Sequence, residues 1–278
     1  MRLFRLRGRD SDVQVLGKSL VPAMALFRGG RYKEAEAEAR AVAASLGTGL
    51  PDGVLALSFA AMSAGAQGRH AEALAEYDAL LPVFGRNFGA EHSRTLLLRS
   101  NRAQGLIPLA RYAECERECA AVARAAVRPA ARLGEPERSR MIAAARNGQI
   151  YAVNAQGRHP EAERLAREAL AAHHTEDRFT LGLRLGLARS LNGQARHEEA
   201  LAEAESADSL SRRLPEEQRR PETGAVELAM ARALLGLGRG TEAHSKAAIA
   251  HDACVATFGP EHYRTVEARD LLDRIDGA

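Results

Sequence analysis

Small and apolar residues recur along this chain at helical spacing, and the stretches that carry them come in pairs separated by one short polar signature. The signature reads Gly or Ala, Arg, a third residue that is Tyr or His in five copies of six, any residue, Glu, then Ala or Cys. Its copies are GRYKEA, GRHAEA, ARYAEC, GRHPEA, ARHEEA and GRGTEA, starting at Gly30, Gly68, Ala110, Gly157, Ala195 and Gly238. After each start, small or apolar residues follow at i, i+4 and i+7, as in Ala35, Ala39 and Val42 or in Ala200, Ala204 and Ala207. That spacing marks one face of a helix. Before each start a small residue stands seven positions upstream and an apolar one four upstream, as in Ala188 and Leu191 or Ala231 and Leu234. The fourth copy breaks the rule with Ile150 and Val153. Each unit therefore predicts a helix, a tight turn where Gly supplies a permissive backbone, and a second helix.

Successive signatures lie 38 to 47 residues apart, the period of paired-helix solenoids. The fold class expected is all-α, an α-solenoid of six helix-turn-helix repeats over residues 13–260, with a capping helix over 261–278 whose outer face is polar. Residues 1–12 form an Arg-rich N-terminal segment. VRPAARLGEPERS, residues 127–139, reads either as a longer Pro-rich connection or as a hinge.

The order of features, a small residue in the first helix, the turn Gly and the Ala of the second helix, resembles the tetratricopeptide repeat family over roughly residues 13–276. The runs FGAEHSRTLLLRSNRA from Phe88 and FGPEHYRTVEARDLL from Phe258 look like the longer repeats of kinesin light chains and of actinobacterial signalling proteins with repeat tails. Acid in a first turn, and in the second run Pro at a first helical position, would place a helix start at Glu-His. The bulky aromatic of the family's first helix is mostly absent here. The resemblance implies a concave groove lined by first helices, with residues about three, six and ten positions upstream of the turn facing into it. Carried over by position, this gives Asn101, Gln104, Asn147, Asn154, Arg189, Asn192 and Arg232 as ligand-binding candidates. Asn101 also matches an Asn of the kinesin-light-chain pattern that resembles a peptide-backbone clamp. An Asn amide offers donor and acceptor to an extended peptide, and a guanidinium can grip a carboxylate with two bonds. Arg189 and Arg232 stand 43 residues apart, as do their turns, and should be neighbours; the alternative is that both pair with glutamates of adjoining helices. Met24, Phe27, Phe59 and Met62 read as an apolar end of the groove or as core.

Composition narrows the partner. With 39 basic against 36 acidic residues, the chain has no basic stripe for a phosphate backbone, so direct nucleic-acid binding is not expected. Three cysteines make no disulfide framework and fit a reducing, cytoplasmic compartment. The N-terminus does not read as a secretion signal, and no run approaches the ~18 consecutive apolar residues of a membrane span, so a soluble protein is expected. Only 4% of residues are aromatic and there is no Trp, so helices should meet through small side chains.

Candidate chemistry is sparse. Cys115 and Cys119 at i, i+4 could ligate a metal, but they fill positions that are Ala in four other copies, where Cys acts as a small buried hydrophobe. His70, His159 and His197 are signature residues; His244, His251 and Cys254 share a helical arc but lack a fourth ligand. GLGRG at Gly236 follows no strand and is the sixth turn. No Ser/His/Asp set is spaced as a triad, and no catalytic residue, cofactor or metal is expected. The function expected is a non-catalytic adaptor or regulatory module that binds a protein or peptide segment, acidic or C-terminal. Homo-oligomer formation through the Arg-rich segment or outer helix faces is a second expectation. The alternative class is an enzyme or small-molecule-binding accessory protein of a bacterial biosynthetic pathway, with a pocket inside the superhelix.

Overall fold

All six signature starts adopt the same left-handed backbone. In the computed structural model, which describes residues 18–47 and 50–277, φ is 77° at Gly30, 85° at Gly68, 54° at Ala110, 76° at Gly157, 58° at Ala195 and 73° at Gly238. The Arg-rich segment 1–12 lies outside the described residues. In five of the turns the N–H of the following Arg donates to the carbonyl four positions upstream of the start, as Arg196 does to Leu191 at 3.0 Å and Arg239 to Leu234 at 2.9 Å. This closes the first helix with a Schellman-type turn and explains why position −4 recurs: its side chain packs inward while its carbonyl accepts the turn's bond.

Among the described residues fourteen α-helices follow one another: α1 Val21–Arg28, α2 Tyr32–Leu46, α3 Pro51–Ala66, α4 His70–Phe88, α5 Ser93–Gly105, α6 Tyr112–Ala126 and α7 Glu137–Ala155. Then come α8 His159–Ala172, α9 Arg178–Gly193, α10 His197–Arg213, the single turn α11 Glu216–Arg219, α12 Ala225–Gly236, α13 Gly240–Phe258 and α14 Tyr263–Asp276. The described residues divide into two compact units, those up to 109 with 124–138, and 110–123 with those from 139 on. In the first, α1 to α4 each pack on the next helix in sequence. In the second, α8 packs on α9, α9 on α10, α10 on α12, α12 on α13 and α13 on α14, while the first helices α9, α12 and α14 also meet in turn. Each unit is thus an array of helices packed in chain order.

The second-helix stripe packs as its spacing demands. Ala35, Ala39, Cys115, Cys119, Ala162, Ala166, Ala200, Ala204, Ala243 and Ala247 are all fully buried. The cysteines therefore sit in alanine positions, their sulfurs 3.9 Å apart, and the Cys115 contact together with burial raises the Cys119 thiol well above its ordinary value. Such a thiol is inert at neutral pH. Met24 and Phe59 belong to the core of the first unit, with Phe27 and Met62 packed against it, so these residues are core rather than a groove end.

A polar edge runs along the turns and in three places ties one repeat to the next. In all six copies the signature Arg pairs with the Glu three residues on, from Arg31–Glu34 to Arg239–Glu242. Three copies add a clamp. Glu36 accepts from Gln67 and Arg69, Glu116 from Gln156 and Arg158, and Glu163 from Gln194 and Arg196. Hydrogen bonds from Gln194 and Arg167, reinforced by Arg196, hold the Glu163 carboxyl down to about 2. Where the Glu position is instead Leu74 or Leu201, the Gln position of the following repeat is also Leu, Leu109 or Leu237. The clamp residues change together, as partners across a joint must.

The FG-x-EH runs build one capsule twice. Phe88 stacks on His92 and Phe258 on His262; His92 Nδ1 accepts from the Arg94 N–H and His262 Nδ1 from the Arg264 N–H; and Thr95 and Thr265 each donate to the carbonyl of Gly89 or Gly259 at 2.8 Å. The helices thus begin at Ser93 and Tyr263, after the His. Placing the helix start at Glu-His is corrected: Pro260 and Glu261 belong to the turn, and the cap is an imidazole nitrogen rather than an acid in the first turn.

A left-handed Ala is strained by about 1–2 kcal/mol relative to Gly. Ala195→Gly should therefore stabilise the protein by about 0.5–1 kcal/mol after its unfolded-state entropy is counted, and Gly157→Ala should destabilise it by about 1–2 kcal/mol. Urea unfolding measures both; a lowered midpoint for Ala195→Gly would contradict the turn geometry.

Candidate functional site

The first helices of the last four hairpin positions bring together four side chains that are far apart in sequence: Tyr151 on α7, Arg189 on α9, Arg232 on α12 and Glu267 on α14. Tyr151, Arg189 and Arg232 each stand six residues before their turns at Gly157, Ala195 and Gly238. Because each turn has one backbone conformation and, within the second unit, α7, α9, α12 and α14 meet in turn, equal distance from the turn becomes adjacency in space.

The Arg189 guanidinium lies 4.6 Å from the centre of the Tyr151 ring, and its Nη2 is 3.0 Å from Glu267 Oε1. Arg232 Nη2 donates to the same oxygen at 2.6 Å. The three charged side chains are recessed but reachable, 29% exposed for Arg189, 23% for Arg232 and 19% for Glu267. Burial opposes the charge on Arg189, but Glu267 and Tyr151 outweigh it and raise the guanidinium above its ordinary value. Burial and the adjacent Arg189 push Arg232 below its ordinary value, and Glu267 offsets them only in part. Glu267, also disfavoured by burial, is nonetheless held down to about 2 by Arg189 and Arg232. Burial pushes the Tyr151 phenol up to about 12, so it stays a neutral donor. Two cations on one carboxylate leave a residual positive charge.

The other sequence candidates divide between joints and surface. Asn154 is buried: its Nδ2 donates to Gly186 O at 3.2 Å and Ser190 Oγ at 3.0 Å, and its Oδ1 lies 3.1 Å from His159 Nδ1. Asn192 repeats the arrangement with Ala229 O and His197. The histidine rings need a glycine opposite them, since a Cβ at Gly193 would come within 2.4 Å of His159 and one at Gly236 within 2.3 Å of His197. Position −3 is thus a joint between repeats, and Asn154 and Asn192 are committed to it. Asn147 donates to Phe179 O at 3.2 Å, leaving its buried Oδ1 without a hydrogen-bond donor. In the first unit Asn101 contacts the Met62 sulfur at 3.9 Å, and Gln104 is exposed. Within the second unit Arg189 and Arg232 are the pair that converges, and they converge on Glu267.

Sequence reasoning passed over Tyr151 and Glu267. Tyr151 carries the same index as the two arginines, but its repeat departs from the small-residue rule; Glu267 lies on a helix with no signature turn after it from which to count. Folding also assembles a Ser/His/Asp set that spacing did not reveal: Ser139 Oγ is 2.8 Å from His173 Nδ1, and His173 Nε2 is 3.0 Å from Asp177 Oδ1. That oxygen already accepts the N–H groups of Phe179 and Thr180, which makes Asp177 the N-cap of α9 and His173 the buried link between α8 and that cap. Of the arc considered for metal binding, His244 meets Asp276, His251 meets Asp252 and Cys254 contacts the Thr223 carbonyl. Among the described residues no helix is long and apolar enough to cross a membrane.

No family model matches the chain, and no curated protein matches it. Among solved structures, a tetratricopeptide repeat protein from Parabacteroides merdae is similar, at 15% identity with a TM-score of 0.47, over 95% of this chain and 99% of that one.

The division between joint and surface is measurable. Asn154→Ala, which removes the His159 Nδ1 partner and two donated bonds inside a joint, should cost about 2 kcal/mol, and Asn101→Ala less than about 0.5 kcal/mol. Equal costs in thermal unfolding would refute it.

Proposed function

We propose that the protein is a non-catalytic binding module that holds a segment of a protein partner on the first-helix face of its second unit, around Tyr151, Arg189 and Arg232. One observation carries this reading. The index six residues before the turn is Met24 and Met62 in the first two repeats and Gln104 in the third, so the repeat itself asks for no charge there. A buried or half-buried ion cluster seldom stabilises a fold better than apolar side chains of similar size. Tyrosine and two arginines at that index, sharing a single carboxylate, are better explained by recognition than by packing. Tyr and Arg are also the residues on which binding energy concentrates. The residual positive charge suits an acidic segment, and this type of fold is generally associated with protein–protein interaction.

Cytoplasmic residence, expected from three cysteines too few for a disulfide framework, belongs to the same reading. A displayed library of random peptides tests it whatever the natural partner is. The wild-type chain should enrich sequences rich in Asp and Glu, and Arg189→Ala with Arg232→Ala should weaken the selected peptides by at least about 100-fold, two charge-assisted bonds contributing about 1.5–3 kcal/mol each. Arg239→Ala, in an exposed turn pair, should leave them unchanged. Peptides that bind the double variant as well as the wild type would rule the surface out.

A further inference from the structure

Glu267 occupies the place that an acidic ligand would take. Each guanidinium has five N–H donors, yet the ionic contacts of Arg189 and Arg232 among the described residues end on one carboxylate, with Glu267 Oε1 the nearest atom to both. The helix that carries Glu267 does not depend on that contact for its seat. Thr265, Ala268 and Leu271 of α14 are buried, and Ala268 and Leu271 pack with Leu228, Ala231, Ala247 and Ala250. The Glu267 side chain can therefore swing away by rotating about its own bonds while α14 stays in place. The surface is open enough to admit an exchange, since all three side chains keep part of their area in water.

From this geometry we infer that Glu267 is a resident competitor: an Asp or Glu side chain of the bound segment displaces it from Arg232, so the chain limits its own affinity for acidic partners. The inference rests on the binding surface proposed above and adds a brake to it. Arg232 is the exchange point because Arg189 also has the Tyr151 ring beneath it, whereas Arg232 has Glu267 alone as its ionic partner among the described residues. A ligand carboxylate placed on Arg232 would give each guanidinium its own anion and remove the residual charge. Glu267 would keep Arg189.

The test uses the full chain and a fluorescein-labelled hexaglutamate peptide with an amidated C-terminus, read by fluorescence anisotropy. Glu267→Gln, which keeps the shape and removes the charge, should bind the peptide about tenfold more tightly than the wild type at low salt, a gap that narrows as screening increases in ~0.5 M salt. Equal or weaker binding by Glu267→Gln, with binding still lost in the Arg189→Ala, Arg232→Ala variant, would overturn the competitor and leave the surface standing. Unchanged binding in that double variant would instead overturn the surface. A labelled hexaserine with a free C-terminus should bind at least tenfold more weakly than hexaglutamate; tighter binding would assign the seat to a terminal carboxylate and overturn the side-chain exchange. A second readout guards against a poorly folded variant. Glu267→Gln leaves two guanidiniums uncompensated, so its Tm should rise more steeply with added sulfate than that of the wild type. An equal or smaller rise would contradict the inference.

Discussion

Close approach of helices through alanine methyl groups is the constraint on which the rest of this structure depends. Ala162, Ala166, Ala200, Ala204, Ala243 and Ala247 are fully buried at matching places in successive repeats. With so little side-chain volume between helices, there is little freedom to slide one against another without opening a void or forcing a clash. The joints sharpen this: the His159 and His197 rings fit only because Gly193 and Gly236 lack a Cβ. Register is fixed as a result, and side chains of equal index from the turn fall into line.

A fixed register lets a repeat protein separate what holds it together from what it presents. Positions −4 and −7 feed the core, position −3 in the fourth and fifth repeats serves the joint, and the Arg of each turn serves the edge. Position −6 is left free to vary. It varies from methionine and glutamine in the first unit to tyrosine and arginine in the second, and at α14 the row meets a carboxylate that answers two cations at once. Two arginines on one glutamate make an ion cluster that is stable yet unsaturated. Such a cluster is suited to exchange, because an incoming anion adds an interaction before it must remove one.

The sequence carried the helix-turn-helix repeat, the six turns and the buried stripe openly, because each follows from a local rule: a left-handed turn needs Gly or tolerates Ala, and a helix face repeats at 3.6 residues. The nearness of Arg189 and Arg232 was also legible, since it needs only equal spacing to their turns. Their shared partner was not, because Glu267 comes from a helix without a turn to index it. What Asn154 and Asn192 touch was hidden for a different reason. An amide on a groove-facing index looks the same in sequence whether it meets a ligand or a neighbouring backbone, and only the His159 and His197 rings beside Gly193 and Gly236 reveal which. The Ser139, His173 and Asp177 contact shows the same limit, a polar trio whose meaning comes from Asp177 capping α9.

The most direct test of this account is the titration of Glu267 itself, followed by NMR of the side-chain carboxyl carbon in the full-length protein. If the arginine row is built as described, its midpoint lies at about 2 in the wild type and moves up toward the ordinary carboxylate range near ~4.3 when Arg189 and Arg232 are both replaced by Ala. A wild-type midpoint already in that ordinary range would mean that the two arginines do not meet on Glu267, and the site built on them would not exist.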